Sequence, residues 1–363
     1  MNGLKIGVLT FHNCINYGSF WQAKCLVEGL LARGYDVEIL NHHSPRINHA
    51  EWKTALQPVL PGETPEVDQA LYREKLLKQT CAINALPLSP EFKLEAPAGM
   101  PQYDLVIVGS DEVWNLMHPW FGKCPIFYGE GILTKRLVSY AASFGNYPAN
   151  WGLEPAWAEK LQNFELISVR DENSKQLIQN AIGTDPEIVL DPCLQFEVKP
   201  EVRVNGRFPS RYLALYGHSF SASFLNQIRN YAEKLKLPII SIGYRNDWAD
   251  EQWIAADPHD FVHFISGAEG IATNFFHGCV FALLFGKPFA AEKSPYRSLK
   301  LEGLLPMLNA GNHLISETTS AREISKILSE SLNPEIGQKI AQLRETSANF
   351  LDRALQPKQY QNA

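Results

Sequence analysis

The chain has 363 residues, enough for two domains of ordinary size, and its 45% hydrophobic and 20% charged content is that of a soluble globular protein. A formal charge of −6 argues against a nucleic-acid binder, which would carry a basic excess. No apolar run approaches the ~18–20 residues of a membrane span. The opening MNGLKIGVLTF enters a strand pattern directly, so a signal peptide and export are not expected. The six cysteines are scattered without a CxxC pair, which fits a reducing compartment better than a disulfide scaffold. His42-His43 and His12-x-Cys14 lack zinc-site spacing, so no metal is expected.

In chain order, Lys5–Phe11 reads as a buried strand. A polar loop follows, then a helical pattern over Phe20–Arg33 ended by Gly34, then a strand over Tyr35–Leu40. This βαβ opening predicts a parallel sheet, and the loop lacks the GxGxxG dinucleotide fingerprint. Over 42–101 the periodicity degrades to one helix, Val67–Ala82, between proline-rich flanks, as expected of an insertion or lid. Further strands are predicted at Tyr103–Val108, Arg136–Ala141, Glu165–Val169 and Glu187–Leu190, with a helix that follows Arg170–Ser174 and runs to Ala181. Their polar loops should gather along one sheet edge. Residues 195–211 read as an interdomain linker. The alternation restarts with a strand at Tyr212–Tyr216, a helix at Ser221–Leu235 and a strand at Ile239–Gly243. A short helix, His259–Ser266, follows Asp257-Pro258 as its start. Helices near Thr319–Leu332 and Glu335–Leu355 close the chain. The domains are therefore expected at 1–194 and 212–333, with 334–363 packing back on the first.

The stretch Gly270–Ala290, GIATNFFHGCVFALLFGKPFA, organises the rest. It reads as strand, tight turn, short buried helix, turn and strand, with boundaries set by Gly278 and Gly286-Lys287-Pro288. His277 then sits where a strand's carboxyl end meets a helix amino end. Open α/β sheets bind ligands there, and unpaired N–H groups suit phosphate or carboxylate. The alternative is that His277 only caps the turn.

Six pieces in order complete the pattern: Asn16-Tyr17-Gly18, GSDEVWN (Gly109–Asn115), VSYAASFG (Val138–Gly145), SVRDENS (Ser168–Ser174), VLDPCL (Val189–Leu194) and FFHGCVFALLFGKPF (Phe275–Phe289). In these the chain resembles the polysaccharide pyruvyl transferase family. The resemblance implies an α/β fold of two doubly wound Rossmann-like domains in a GT-B-like arrangement, with the active site in the interdomain cleft. It also implies transfer of the pyruvyl unit of phosphoenolpyruvate to sugar hydroxyls, with release of phosphate and no metal or organic cofactor. The acceptor implied is a lipid-linked or nucleotide-linked precursor of a cell-surface polysaccharide. It would be met at the inner face of the membrane, a cytoplasmic location with peripheral membrane contact.

His277 matches the family's catalytic histidine. An imidazole can move either the acceptor hydroxyl's proton or the one added at C3 of the donor. A helix amino end disfavours the imidazolium and so suits a base, but which proton His277 moves stays open. Arg170 matches a family arginine whose planar fork suits a carboxylate or phosphate; the alternative is an ion pair with Asp171 or Glu172. The N–H groups of Gly278 and Cys279, with Lys287 nearby, could complete a donor site. On the acceptor side, Asp111, Glu112 and Trp114 offer oxygens for hydroxyls and an apolar face for a sugar ring, with Asn16 and Tyr17 across the cleft. Trp114 as a core residue and Asp191 as a turn-fixing residue are the plainer readings of those two. Phe275 stands where many members carry an arginine. Its charge would then come from Arg245, Lys293 or Arg297, or the donor would be less charged. The other readings are a nucleotide-sugar glycosyltransferase, on the same fold, and a non-catalytic sugar-binding relative.

Overall fold

In the computed structural model, which describes residues 4–200, 209–294 and 298–356, the chain builds two main parallel sheets and two short parallel pairs, one of them His42–His43 with Phe92–Lys93 in the insertion. The first contains β1 (Lys5–Leu9), β2 (Asp36–Ile39), β3 (Leu105–Val108) and β4 (Leu137–Ser139) in the order β2-β1-β3-β4. The short parallel pair β5 (Ser168–Val169) and β6 (Glu187–Ile188) extends it through bridges from Val138 to Leu166 and from Ala142 to Val169. The second contains β7 (Leu213–Tyr216), β8 (Ile239–Ile242), β9 (Glu251–Trp253), β10 (Gly270–Thr273), β11 (Phe289–Glu292) and β12 (Leu314–Ile315). Its order is β9-β8-β7-β10-β11-β12, parallel throughout. Strands such as β3 (LVIV) and β8 (IISI) are buried at every position, because helices cover both faces. This is the expected α/β class with two Rossmann-like units.

Both sheets have a point where successive strands diverge to opposite sides: between β1 and β3 in the first, between β7 and β10 in the second. Loops leaving the carboxyl ends of such strand pairs open a crevice. Here those loops are 10–16 and 109–116 on one side, and 217–221 and 274–275 on the other.

Local chemistry places the helices. Asn16 caps helix Tyr17–Leu31, accepting from the N–H groups of Gly18 and Ser19. Asp171 caps helix Glu172–Ile182, and Gly183, at φ 71°, ends it in the left-handed conformation. Asp257 and Asp260 form a capping box with Pro258 in the first turn.

The sequence reading missed helices Pro45–Leu56, Pro155–Leu161, Pro192–Gln195 and Ser298–Met307, the edge strands β9 and β12, and the short strand pair His42–His43 with Phe92–Lys93. The 42–101 segment therefore holds two helices, Pro45–Leu56 and Glu66–Asn84. It also binds the second half: the Lys75 ammonium donates to the Gly243 carbonyl (2.7 Å), Lys78 to that of Ala255 (3.0 Å), and Arg245 pairs with Asp68. The last helix, Pro334–Leu355, returns to the first half. The Ser347 hydroxyl accepts from Leu190 N–H, Arg344 donates to the Leu194 carbonyl, and Arg353 pairs with Glu187. The middle of the 195–211 linker and the end of the 334–363 segment lie outside the described residues. No helix among the described residues is long and apolar enough to cross a membrane.

Candidate active site

The turn after β10 is built by Thr273. Its hydroxyl donates to the Tyr216 carbonyl on β7 (2.6 Å) and accepts from Phe275 N–H (3.1 Å). A Cβ on Gly278 would lie 2.1 Å from that hydroxyl oxygen, so glycine is required for the chain to turn into helix Phe276–Leu284. Phe275, in extended backbone, precedes this helix and gives its first turn no side-chain cap. His277 is thus presented in the first turn, on the wall of a cleft of about 370 Å³ between the two sheets. That volume falls within the ~300–1,000 Å³ typical of small-molecule sites.

A chain of buried charges runs behind the imidazole. His277 Nε2 is buried without a hydrogen-bond partner and lies 3.6 Å from Asp191 Oδ2. The same oxygen accepts from Arg170 (2.9 Å), whose other terminal nitrogen donates to Asp111 Oδ1 (3.1 Å). Asp111 Oδ2 accepts from the Ser19 hydroxyl (2.8 Å). The Arg170 guanidinium also lies over the Phe276 ring, 4.4 Å from its centroid. Burial opposes ionisation of Asp191, yet His277, Arg170 and the Cys193 N–H outweigh it and hold the carboxyl well below its usual range. Asp111 likewise stays below the usual range against burial, because Arg170, His277 and Lys300 surround it. Its backbone φ of 73° is unusual for a residue other than glycine, and it aims the carboxylate back at Arg170 and Ser19.

One further ion pair and two groups of the insertion shape the cleft. Glu112 accepts from Lys300 (2.6 Å), a contact between the first half and helix Ser298–Met307 of the second, and Lys300 overcomes burial to keep that carboxyl ionised. From the insertion, Lys75 and Glu51 enter the cleft wall. Burial draws Lys75 down to about 7, while the Gly243 carbonyl and the faces of Tyr17 and Tyr244 (5.0 and 4.2 Å) favour its ammonium. Burial pushes Glu51 up to about 7.

The cleft therefore gathers His277, Arg170, Asn16, Asp111 and Glu112 among the predicted residues. The others are placed elsewhere. Trp114 is fully buried, its indole N–H donating to the Phe127 carbonyl, so it packs the first core instead of facing a sugar. Tyr17 is buried between the halves, its hydroxyl donating to the Ala256 carbonyl (2.5 Å). Cys279 is fully buried and its N–H bonds the Phe275 carbonyl, which removes it from anion binding. Gly278 serves the turn through its missing side chain. Lys287 precedes β11, at the opposite end of the strands from His277, where its charge acts on Glu269.

Two of the three substitutes proposed for a charge at Phe275 are already held by carboxylates. Arg245 is held by Asp68 and Asp247, Lys293 by Glu302, and Arg297 lies outside the described residues. Arg170 pairs with Asp111 and Asp191, not with Asp171 or Glu172. Asp191 does fix its turn, accepting from Cys193 N–H, but it also touches both Arg170 and His277, a role its Asp-Pro context did not signal. Phe275 and Phe276 are buried in the core and also line the cleft.

Asp191, Cys193 and His277 bring one potential metal ligand each within 4.8 Å of one another. The donor set does not fit a metal. Burial, with Cys25 and Asp191 beside it, pushes the Cys193 thiol well up, and Arg170 already holds the Asp191 oxygen that faces His277.

A family model described as polysaccharide pyruvyl transferase matches residues 16–291. Among solved structures, the UDP-GlcNAc 2-epimerase from Neisseria meningitidis, bound to UDP-GlcNAc, is similar at 10% identity. The match covers 96% of this chain and 99% of that one, with a TM-score of 0.52. The UDP-GlcNAc 2-epimerase from Methanocaldococcus jannaschii matches at 13% identity over 94% of this chain and 100% of that one, with a TM-score of 0.50. At such identities the likeness shows the fold alone, two Rossmann-like units of the GT-B type. No curated protein sequence matches the chain significantly. The family match runs from Asn16, in the first loop, through His277 to the end of β11, and on that extent the chain belongs to the polysaccharide pyruvyl transferase family.

Proposed function

We propose that the protein moves the pyruvyl group of phosphoenolpyruvate onto sugar hydroxyls of a cell-surface polysaccharide precursor and releases phosphate. The observation that carries this reading is His277 on the cleft wall, its buried Nε2 facing the ionised Asp191 at 3.6 Å. With Nε2 turned to Asp191, the other ring nitrogen, Nδ1, which lies beside Gly18, is the one assigned to the substrate. Asp191 is placed to stabilise the imidazolium formed as His277 takes the acceptor hydroxyl's proton.

The donor is a compact polyanion. Arg170 and Lys300 are already matched by carboxylates, whereas Lys75 has no carboxylate partner among the described residues. Lys75 and the uncapped first turn of helix Phe276–Leu284 are therefore the groups assigned to the donor's phosphate and carboxylate. Asn16 and Glu112 are assigned to the acceptor's hydroxyls. The acceptor is a sugar on a lipid or nucleotide carrier, met at the inner membrane face. The donor's own enol phosphate supplies the activation, so no further cofactor is invoked.

The test supplies phosphoenolpyruvate with a panel of sugar acceptors and measures phosphate release. Acceptor-dependent release should fall by ~10²–10⁴ in His277→Ala. Lys75→Met should weaken donor binding by about tenfold or more, in line with the ~1.5–3 kcal/mol of a charged hydrogen bond. Release of a nucleotide from nucleotide sugars, with none of phosphate, would overturn the proposal.

A further inference from the structure

The cleft's carboxylates fall into two kinds. Asp111 and Asp191 are bound to Arg170, and Glu112 to Lys300. Glu51 alone among the carboxyl groups of the cleft wall pairs with no cation among the described residues. Helix Pro45–Leu56 buries only Ile47 and Glu51, so this carboxyl is turned inward by the same element that leaves Trp52 half exposed. Glu51 Oε2 accepts from Ile15 N–H (3.3 Å), and the Cys14 thiol lies beside it. A buried carboxyl with one neutral N–H donor, a thiol and no counter-ion holds its proton in conditions where its neighbours are ionised.

We infer that Glu51 is the acid that protonates the methylene carbon of phosphoenolpyruvate as the acceptor oxygen bonds to C2. The inference rests on the pyruvyl-transfer reading above. In the first step the acceptor O–C2 bond forms, the C2=C3 electron pair takes the Glu51 proton to make a methyl group, and the hydroxyl proton passes to His277. In the second the C2–O bond to phosphate breaks, its electron pair leaves with phosphate, and His277 returns its proton to that oxygen. A second hydroxyl then adds at C2 and gives its proton to the Glu51 carboxylate, which restores the acid and closes the ketal. Acid and base thus come from different parts of the chain, the insertion and the second half.

The titratable groups nearest this wall include Cys14 after β1, Asp111, Glu112 and His118 after β3, and Lys75 on the helix packed beside Glu51, with Arg170, His277 and Lys300 lining the same cleft. Burial raises the Cys14 thiol well up and holds His118 below its usual range. Lys75 has its own task at the donor, which leaves Glu51 as the carboxylic acid of the site.

The experiment compares wild type with Glu51→Gln, and with Glu51→Met as an apolar near-isostere should the amide not fold. Thermal unfolding verifies that the variants fold. Turnover should fall by ~10²–10³ while equilibrium binding of phosphoenolpyruvate stays within threefold. In heavy water the wild-type product should carry one deuterium in its new methyl group. Wild-type protein that releases no phosphate with any acceptor sinks the underlying reading. An active wild type with a folded variant within threefold of its turnover removes Glu51 alone.

Discussion

Asp191→Ala should destabilise the protein by about 3–5 kcal/mol and abolish acceptor-dependent phosphate release. The size follows from what one carboxylate does here. Asp191 is 2% exposed and takes a hydrogen bond from the buried Arg170, faces His277 and caps the Pro192–Gln195 turn through Cys193 N–H. Removing one partner of a buried ion pair leaves the other charge uncompensated, which costs ~3–5 kcal/mol, whereas removing both partners costs much less. Asp111 still holds one side of Arg170, so the loss belongs toward the lower end. The measurement is a double-mutant cycle by urea unfolding with Arg170→Met. The double variant should be more stable than the sum of the two single losses predicts. Additive losses, or a single-variant cost below about 1 kcal/mol, would mean that Asp191 is not the link between arginine and histidine. Asp191→Asn separates the functions: it keeps an oxygen for Cys193 N–H, so its stability loss should be smaller, while loss of the negative charge still removes the support for His277.

The sheets were legible because their interior strands are nearly continuous apolar runs, and the loops at their carboxyl ends because glycine, serine and aspartate break those runs. The insertion was legible only in part, its helix Glu66–Asn84 being expected at Val67–Ala82 while Pro45–Leu56 was missed, and the reason is chemical. Helix Glu66–Asn84 turns Asp68, Tyr72, Lys75 and Gln79 inward along one stripe, and helix Pro45–Leu56 turns in Glu51. A helix whose buried face is polar shows no hydrophobic periodicity, so the pattern degrades where these helices meet the cleft. Ser44-Pro45 was the remaining signal for the first helix: the Ser44 hydroxyl accepts from Ile47 N–H, and proline takes the first helical position. Arg170 and Asp111 could be singled out from sequence, but their mutual pairing could not, since 59 residues separate them. Trp114 misled for the opposite reason: a motif tryptophan beside a carboxylate fits a sugar platform as well as it fits a core, and only packing distinguishes the two.

Each half of the chain supplies an incomplete site. The second half presents His277 and Phe276; the first supplies Asp191 and Arg170; the insertion adds Lys75 and Glu51, and Lys75 is fastened to the Gly243 carbonyl of the second half. The charges behind the imidazole are balanced within the protein itself. The polar groups not so balanced sit on the insertion, where they remain available to a substrate.

Gly18→Ala tests that assembly from the other side of the cleft. Gly18 is the second residue of helix Tyr17–Leu31, where alanine would ordinarily stabilise a helix by about 1 kcal/mol. A Cβ at this position, however, would lie 1.9 Å from His277 Nδ1 and 2.2 Å from the ring's Cγ. To reach ordinary contact the ring would have to retreat by roughly 1.5 Å, and a misplacement of that size at a reacting group costs about 10²-fold in rate. The clash is with a ring already confined by Phe276 (5.1 Å between centroids) and by Asp191, so overpacking should add about 1–3 kcal/mol of destabilisation. The decisive comparison is in the His277→Ala background. With the imidazole gone the added methyl has room, the helix preference reasserts itself, and Gly18→Ala should change from destabilising to neutral or mildly stabilising. That reversal of sign would be read by urea unfolding of the four proteins. Turnover of Gly18→Ala at the wild-type level would show instead that the ring can move without consequence, and His277 would lose its place in the reaction.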